Sequence, residues 1–386
     1  MIAPELIQIG MPVVHLPLVS VIITNHNYER YVKSAIESIK AQTYPRVECV
    51  IIDDCSNDNS FAVISEHLKF LNDDRFRVIR LANNVGQLGA MKAGLENTSG
   101  PFVHFFDADD IVFPHFLQKH IEAHLNASYS AGITASDTMQ IDHEGQILET
   151  TFHSLLKHRS DVPAGLVKPI NQDAVRTISD DRLAFKHLPA DLLYVDRAFT
   201  GWHVVATSAM VFRRDALDLV MTKDTNAVRI CADYYLAQYV HFVTGTITIG
   251  STLSGFRLHR ENAFSKNAIL GGPYPPGHLD PHVQYKLDSE ISKHLINNID
   301  RMKDILGIEY CMRLIQRTHH AGILYSMVQH SPVLRLAYGS GSDKRFARKY
   351  KSLSVLFNRF PAGYRLLRFA ASIGRRVLSR LKRVGR

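Results

Sequence analysis

The chain has 386 residues, 46% of them apolar and 21% charged, a balance that excludes a wholly disordered or fibrous protein. Its 45 Lys and Arg against 37 Asp and Glu give a formal charge of +8, unevenly placed: residues 331–386 hold 15 basic residues and one acid, Asp343, leaving the first 330 residues at −6. The length suggests two or so packed units, followed by a basic tail of different character.

Leu18 to Thr24 is a β-branched run ending in Asn25, His26 and Asn27, as a strand buried on both faces would. A helix is expected from Tyr31 to Ala41, with Val32, Ala35, Ile36 and Ile39 on one face. The unit then repeats. Val47 to Ile52 reads as a strand ending in Asp53-Asp54, Phe61 to Leu71 as a helix, Phe76 to Leu81 as a strand, Gln87 to Leu95 as a helix, and Phe102 to Phe106 as a strand ending in Asp107. Strands and helices in alternation imply crossover units and a parallel sheet. After a helix from Phe113 to Leu125, a hairpin turns around His143-Glu144-Gly145. Residues 152–197 show little periodicity and read as a substrate-side insertion or lid. Val204 to Phe212 reads as a strand, Ala232 to Val243 as a helix and Ile247 to Leu258 as strand, before the break GGPYPPG at 271–277. Helices are expected from His282 to about Leu306 and from Glu309 to His330.

Cys49, Cys55, Cys231 and Cys311 form no C-x-x-C pair, so reduced thiols are expected in place of a disulfide framework or zinc ribbon. No apolar stretch approaches the ~18 residues of a membrane span. The opening MIAPELIQIGMP has no basic flank before an apolar core, so a cytoplasmic protein is expected.

Asp53, Asp54, Asp107 and Asp109 all sit near predicted strand ends, where open parallel sheets bind ligands. Residues two apart on extended chain point the same way, so Asp107 and Asp109 can share a target such as Mg²⁺ or Mn²⁺. Aspartates at strand ends also form turns and cap helices, and spacing alone leaves both readings open.

Five pieces in order narrow the choice: VSVIITNHNYERYVKSAIESIKAQTYP, VIIDDCSNDNS, NNVGQLGAMKAGL, FFDADDIVFP and RLHRENAFS. Together they resemble the family 2 inverting glycosyltransferases, continuously from Leu18 to Leu125. The resemblance implies a GT-A fold, an α/β Rossmann-like domain with a mostly parallel central sheet flanked by helices. A mainly helical C-terminal extension would follow. The expected boundaries are 1–270 for the catalytic domain (donor half 18–125, acceptor half 126–270), 271–330 for the helical extension and 331–386 for the basic tail.

Residue by residue, the resemblance implies that Thr24 and His26 line the base pocket and that Asp54, with Asp53, contacts the uracil or equivalent ring. His26 also reads as a plain loop histidine. Asn84, Gly86, Ala90 and Gly94 would back the donor site, and Asp107 would contact the ribose. Asp109 would bind the metal and Asp110 order the turn. Lys92 reads either as a diphosphate contact or as a surface lysine. Arg257, His259, Asn262 and Ser265 reproduce the context in which a family histidine completes the metal site. Asp233 stands where the family carries a Glu-Asp pair and would be the base, with Ala232 in place of the glutamate. Trp202 would face the acceptor, although a core role is equally open.

The implied cofactor is a divalent metal, Mn²⁺ or Mg²⁺. The implied partners are a UDP-type nucleotide-diphosphate sugar and a glycan or lipid-linked acceptor. Residues 363–386 pattern as a basic amphipathic helix, which fits attachment to an anionic inner membrane face or packing on the catalytic domain. Nucleic acid is not expected, because no recognised module precedes the tail. No G-x-G-x-x-G follows the first strand, which argues against a dehydrogenase, and the remaining alternative is a catalytically silent sugar-nucleotide-binding scaffold. Oligomeric state is not legible.

Overall fold

The computed structural model describes residues 15–151, 165–170, 192–199, 203–204, 206–259, 262 and 281–318. The chain divides into two compact units, Met1–Leu279 and Asp280–Arg386.

The first unit starts with three strands and helices in alternation: β1 (Val19–Asn25), α1 (Val32–Lys40), β2 (Val47–Asp53), α2 (Ser60–Leu71), β3 (Phe76–Arg80) and α3 (Gln87–Glu96). β4 (Phe102–Asp107) follows and lies beside β1. β2 and β4 flank β1 in parallel, and β3 extends the sheet beyond β2. All seven residues of β1 are buried, as a strand covered on both faces requires. On α1 the residues buried are Val32, Ala35, Ile36 and Ile39, the face expected from the spacing. α3 approaches β1 so closely that a side chain on Gly94 would fall inside Ile22.

Beyond β4 the sheet changes character. β5 (Ile111–Val112), α4 (Phe116–Asn126) and β6 (Ile133–Ile141) come next, and β7 (Ile147–Glu149) closes the hairpin whose turn holds Gly145. β8 (Val167–Pro169) and β9 (Leu192–Val195) lie within the segment that lacked periodicity. With β10 at Met210–Arg213 and β11 at Thr246–Arg257, the sheet order is β3-β2-β1-β4-β10-β6-β11-β9-β8. β10 (Met210–Arg213) is antiparallel to both β4 and β6 and joins the two halves. Of the strand expected over Val204 to Phe212, Thr207–Ala209 forms a 3-10 turn and only Met210–Phe212 is strand; Met210 to Phe212 pair with β6, and Phe212 and Arg213 with β4. α5 (Arg214–Val220), absent from the expectation, follows at once, then α6 (Ala232–Thr244) and β11 (Thr246–Arg257).

The second unit, taken by itself, contains α7 (Pro281–Asn297), α8 (Ile299–Leu306) and α9 (Ile308–Thr318). The helix expected over 282–306 is interrupted at Asn298, whose ψ of 23° leaves the helical region. α8 buries Ile299, Met302 and Leu306, and α9 buries Tyr310, Cys311, Leu314 and Ile315. The tail at 331–386, the GGPYPPG break and the stretch 319–330 lie outside the described residues. Among the described residues no helix is long and apolar enough to cross a membrane. None of the four cysteines forms a disulfide, and burial pushes the Cys49 and Cys231 thiols up, away from thiolate reactivity.

Candidate active site

Parallel pairing brings the carboxyl ends of β1, β2 and β4 to one edge, with Asn25 in register with Asp53 and Thr24 with Asp107. The Thr24 hydroxyl lies 3.4 Å from Asp107 Oδ1. Asp53 is fully buried; Asn25 Nδ2 donates to it at 2.9 Å, the Ser56 hydroxyl donates to it, and Arg80 Nε stands 3.4 Å away. These partners make Asp53 a clamp between strand ends. Asp54 receives the backbone N–H groups of Val85 and Gly86 at 2.7 and 2.9 Å, which fixes the loop entering α3. His26 Nδ1 is 2.9 Å from the Asp54 carbonyl, and Asn84 Nδ2 is 3.3 Å from both imidazole nitrogens. His26, Asp54, Asn84 and Gly86 thus form one polar cluster at the carboxyl ends of the strands, with Thr24 turned to Asp107.

A second set of elements brings in His259. β5 pairs antiparallel with β11, setting Ile111 against Gly255, where a Cβ would come within 2.9 Å of the Ile111 side chain. Continuing that register backwards from Ile111 and forwards from Gly255 brings Asp109 and Asp110 beside Arg257. Arg257 N donates to Asp110 Oδ1 at 2.9 Å and Arg257 Nε to the Asp109 carbonyl at 2.7 Å. Two residues further, His259 Nε2 reaches Asp109 Oδ2 at 3.0 Å. The His259 ring stacks on Tyr31 (4.8 Å, 26°) and meets the edge of Tyr28 at 5.7 Å, while the Arg257 guanidinium lies 5.1 Å from the Tyr31 ring. Asn262 Oδ1 accepts from His259 N, and its amide donates to the Arg257 carbonyl at 2.9 Å. Asp110 therefore ties the D-x-D turn to the end of β11.

Asp233 opens α6, in the first helical turn, where acidic residues are favoured. Burial raises its carboxyl above the usual carboxylate range, and its own backbone N–H and that of Tyr234 oppose the shift. Asp107 is pushed up to about 7, first by burial and then by the charges of Asp109 and Asp233. Asp110 is raised too, by burial and then by Asp109 and Asp107. Residues from β4, the turn after it and α6 therefore form one acidic site, although Asp233 lies 126 positions after Asp107 in the chain.

Lys92 is placed apart. It follows Gln87 by five residues, roughly 140° around the helix at 3.6 residues per turn, and its ammonium is 3.9 Å from Glu96. Trp202 lies outside the described residues. Four further residues contribute to the site without a signal in the sequence. Gln87 reaches both Asp107 and the N–H of Ala232, Ser208 Oγ accepts from Asp107 N at 3.2 Å, Arg229 bonds Asn84, and Tyr31 carries His259. Their residue types are ordinary for a helix start or a loop, and no spacing marks them.

The donor set suits a hard or borderline divalent cation: a carboxylate and an imidazole converge at Asp109 and His259, with Asp107 beside them. Among the described residues no three such side chains already form a metal cage.

The sequence profile of "Glycosyl transferase family 2" matches residues 20–220. An uncharacterized glycosyltransferase of Nostoc is 32% identical over 63% of this chain and 66% of its own length. The putative teichuronic acid biosynthesis glycosyltransferase TuaG of Bacillus subtilis is 32% identical over 36% of this chain and 53% of its own. The chain thus spans under two thirds of the length of either relative. Among solved structures, S. aureus TarS 1-349 is similar at a TM-score of 0.45 and 15% identity, covering 87% of this chain and 78% of that one.

Proposed function

This chain belongs to glycosyl transferase family 2, and from that premise we propose that it moves a sugar from a nucleotide-diphosphate donor of UDP type to an acceptor hydroxyl, with inversion at the anomeric carbon. The observation that carries the reading is the convergence of Asp107, Asp109, His259 and Asp233 on one end of the sheet. In the proposed reaction the base is received at Thr24, His26, Asp54 and Asn84, and the ribose at Asp107. Asp109 and His259 would hold Mn²⁺ or Mg²⁺, which when bound would neutralise charge on the diphosphate leaving group. Asp233 takes the acceptor proton as the hydroxyl oxygen attacks from the face opposite the diphosphate. A carboxylate raised by burial is a stronger base than one in water, and such base catalysis is worth about 10²–10⁴-fold.

The name of the B. subtilis relative supports a role in cell-surface polysaccharide synthesis. We further propose that residues 331–386 hold the enzyme at an anionic membrane face, where lipid-linked acceptors reside, since each basic residue near such a surface contributes about 1 kcal/mol. The decisive test is UDP release from a panel of UDP-sugars with and without Mn²⁺. Asp109→Asn and Asp233→Asn should both lose turnover, with nucleotide binding retained in Asp233→Asn. A chain that binds UDP yet turns over nothing in any arm is a silent scaffold.

A further inference from the structure

α6 carries Asp233 and needs partners for the N–H groups of its first turn. The residue before the helix cannot supply one. Cys231 makes no side-chain cap and sits at φ 55°, a left-handed conformation that non-glycine residues rarely adopt. The N–H of Ala232 is instead accepted by Gln87 Oε1 at 2.9 Å, across 145 positions of sequence. The other end of that same amide lies 3.5 Å from Asp107 Oδ1. Gln87 also donates its backbone N–H to the Arg229 carbonyl at 3.0 Å, and Arg229 Nη2 returns to the Asn84 carbonyl at 3.2 Å. Gly86 fits at φ 78° against the Arg229 backbone, where a Cβ would be 2.9 Å from the carbonyl oxygen. The start of α3 and the approach to α6 therefore interlock, and a single side chain spans from the donor-side carboxylate to the helix that bears the base.

We propose that Gln87 is a positioning residue: it sets Asp233 relative to the donor by bridging Asp107 and the first turn of α6. The inference rests on the glycosyltransferase reading and adds to it a residue whose effect passes through Asp233.

Gln87→Met conserves length and volume and removes both hydrogen bonds. Amide hydrogen exchange of the intact chain should show faster exchange at Ala232 in Gln87→Met, with the later turns of α6 unchanged. With Mn²⁺ and the best UDP-sugar of the panel, kcat should fall about 10- to 100-fold while KM for the donor and the affinity for UDP stay within about 2-fold. The double variant Gln87→Met/Asp233→Asn should be no slower than Asp233→Asn alone, which a merely structural loss would not reproduce. Unchanged exchange at Ala232 overturns the inference by itself, as does a loss confined to UDP affinity or one that multiplies fully in the double variant. Wild-type turnover in Asp233→Asn overturns the inference and the base assignment together. Absence of turnover in the wild type overturns the enzyme reading, and the exchange result then decides the bridge.

Discussion

Three histidines pack behind the site, and the structure sets how the stability attached to one of them should vary with pH. His104 of β4 and His120 and His124 of α4 are buried. Burial holds His104 and His124 down at about 4, and His120 well below its ordinary 6.5. His104 Nδ1 meets the Met210 carbonyl at 2.8 Å, and its ring lies 5.3 Å from Phe106 and 4.6 Å from Phe116. The unfolded chain takes up a proton near 6.5 and the folded one only near 4, so the stability is intact above about pH 7 and is lost as pH falls through that window. For one histidine with these two values the loss is about 2 kcal/mol between pH 7 and 5, approaching about 3 kcal/mol below pH 4. Asp107, Asp110 and Asp233, whose carboxyls are raised, work the other way, so the wild-type profile alone mixes opposing trends. His104→Asn removes one titration, leaves the carboxyls in place and keeps an amide nitrogen for the Met210 carbonyl. The variant will be less stable at pH 7 through lost ring packing, and its deficit should shrink by about 2 kcal/mol at pH 5. Urea midpoints and slopes at the two values, without divalent cation, give that difference. Parallel pH profiles for variant and wild type would refute the reasoning.

Other consequences are as direct. Gly94→Ala places a methyl inside the Ile22 side chain and should cost roughly 1–3 kcal/mol as an overpacked core position does; an unchanged thermal midpoint would show that α3 can retreat from β1. Lys92→Ala removes an ion pair of 3.9 Å on the flank of α3, an interaction worth about 0.3–0.5 kcal/mol. Donor KM should therefore stay within about 2-fold, and a 10-fold rise would restore Lys92 as a diphosphate ligand. Arg257→Lys gives up the fork that holds the carbonyls of Asp109 and Asp142. Supports of this kind are worth about 10- to 100-fold in metal affinity, so Mn²⁺ titrated by electron paramagnetic resonance should bind more weakly in the variant.

The organisation of the first half was legible because β1 and β2 are buried β-branched runs, β4 is a buried aromatic run and α1 keeps its apolar residues on one face. A sheet covered on both sides writes itself into the chain in that way. β10 is shorter than the expected strand because extended form is fixed by pairing and not by residue type alone: Met210–Arg213 pairs with β4 and β6, while Thr207–Ala209 turns although both neighbours continue past it. The short strands β8 and β9 lie in a segment without a periodic signal for the same reason, since pairing with β11 and with each other holds them in extended form.

At the site, local pattern put Asp107 and Asp109 at a strand end and Asp233 at a helix start, and motif context singled out His259. What linear order could not express is their meeting. That depends on a two-residue strand pairing with β11, which carries Asp109 to His259, and on α6 docking against the start of α3. Gln87, Arg257 and Tyr31 act through contacts with residues more than a hundred positions away, and no local periodicity encodes such a distance. Sequence determined which chemical groups stand at the ends of which elements, because burial and helical spacing are local properties of a chain. Tertiary structure alone decided which of those groups share one low-dielectric space, because a carboxylate is raised, a histidine aimed and a helix end capped only by neighbours that folding delivers.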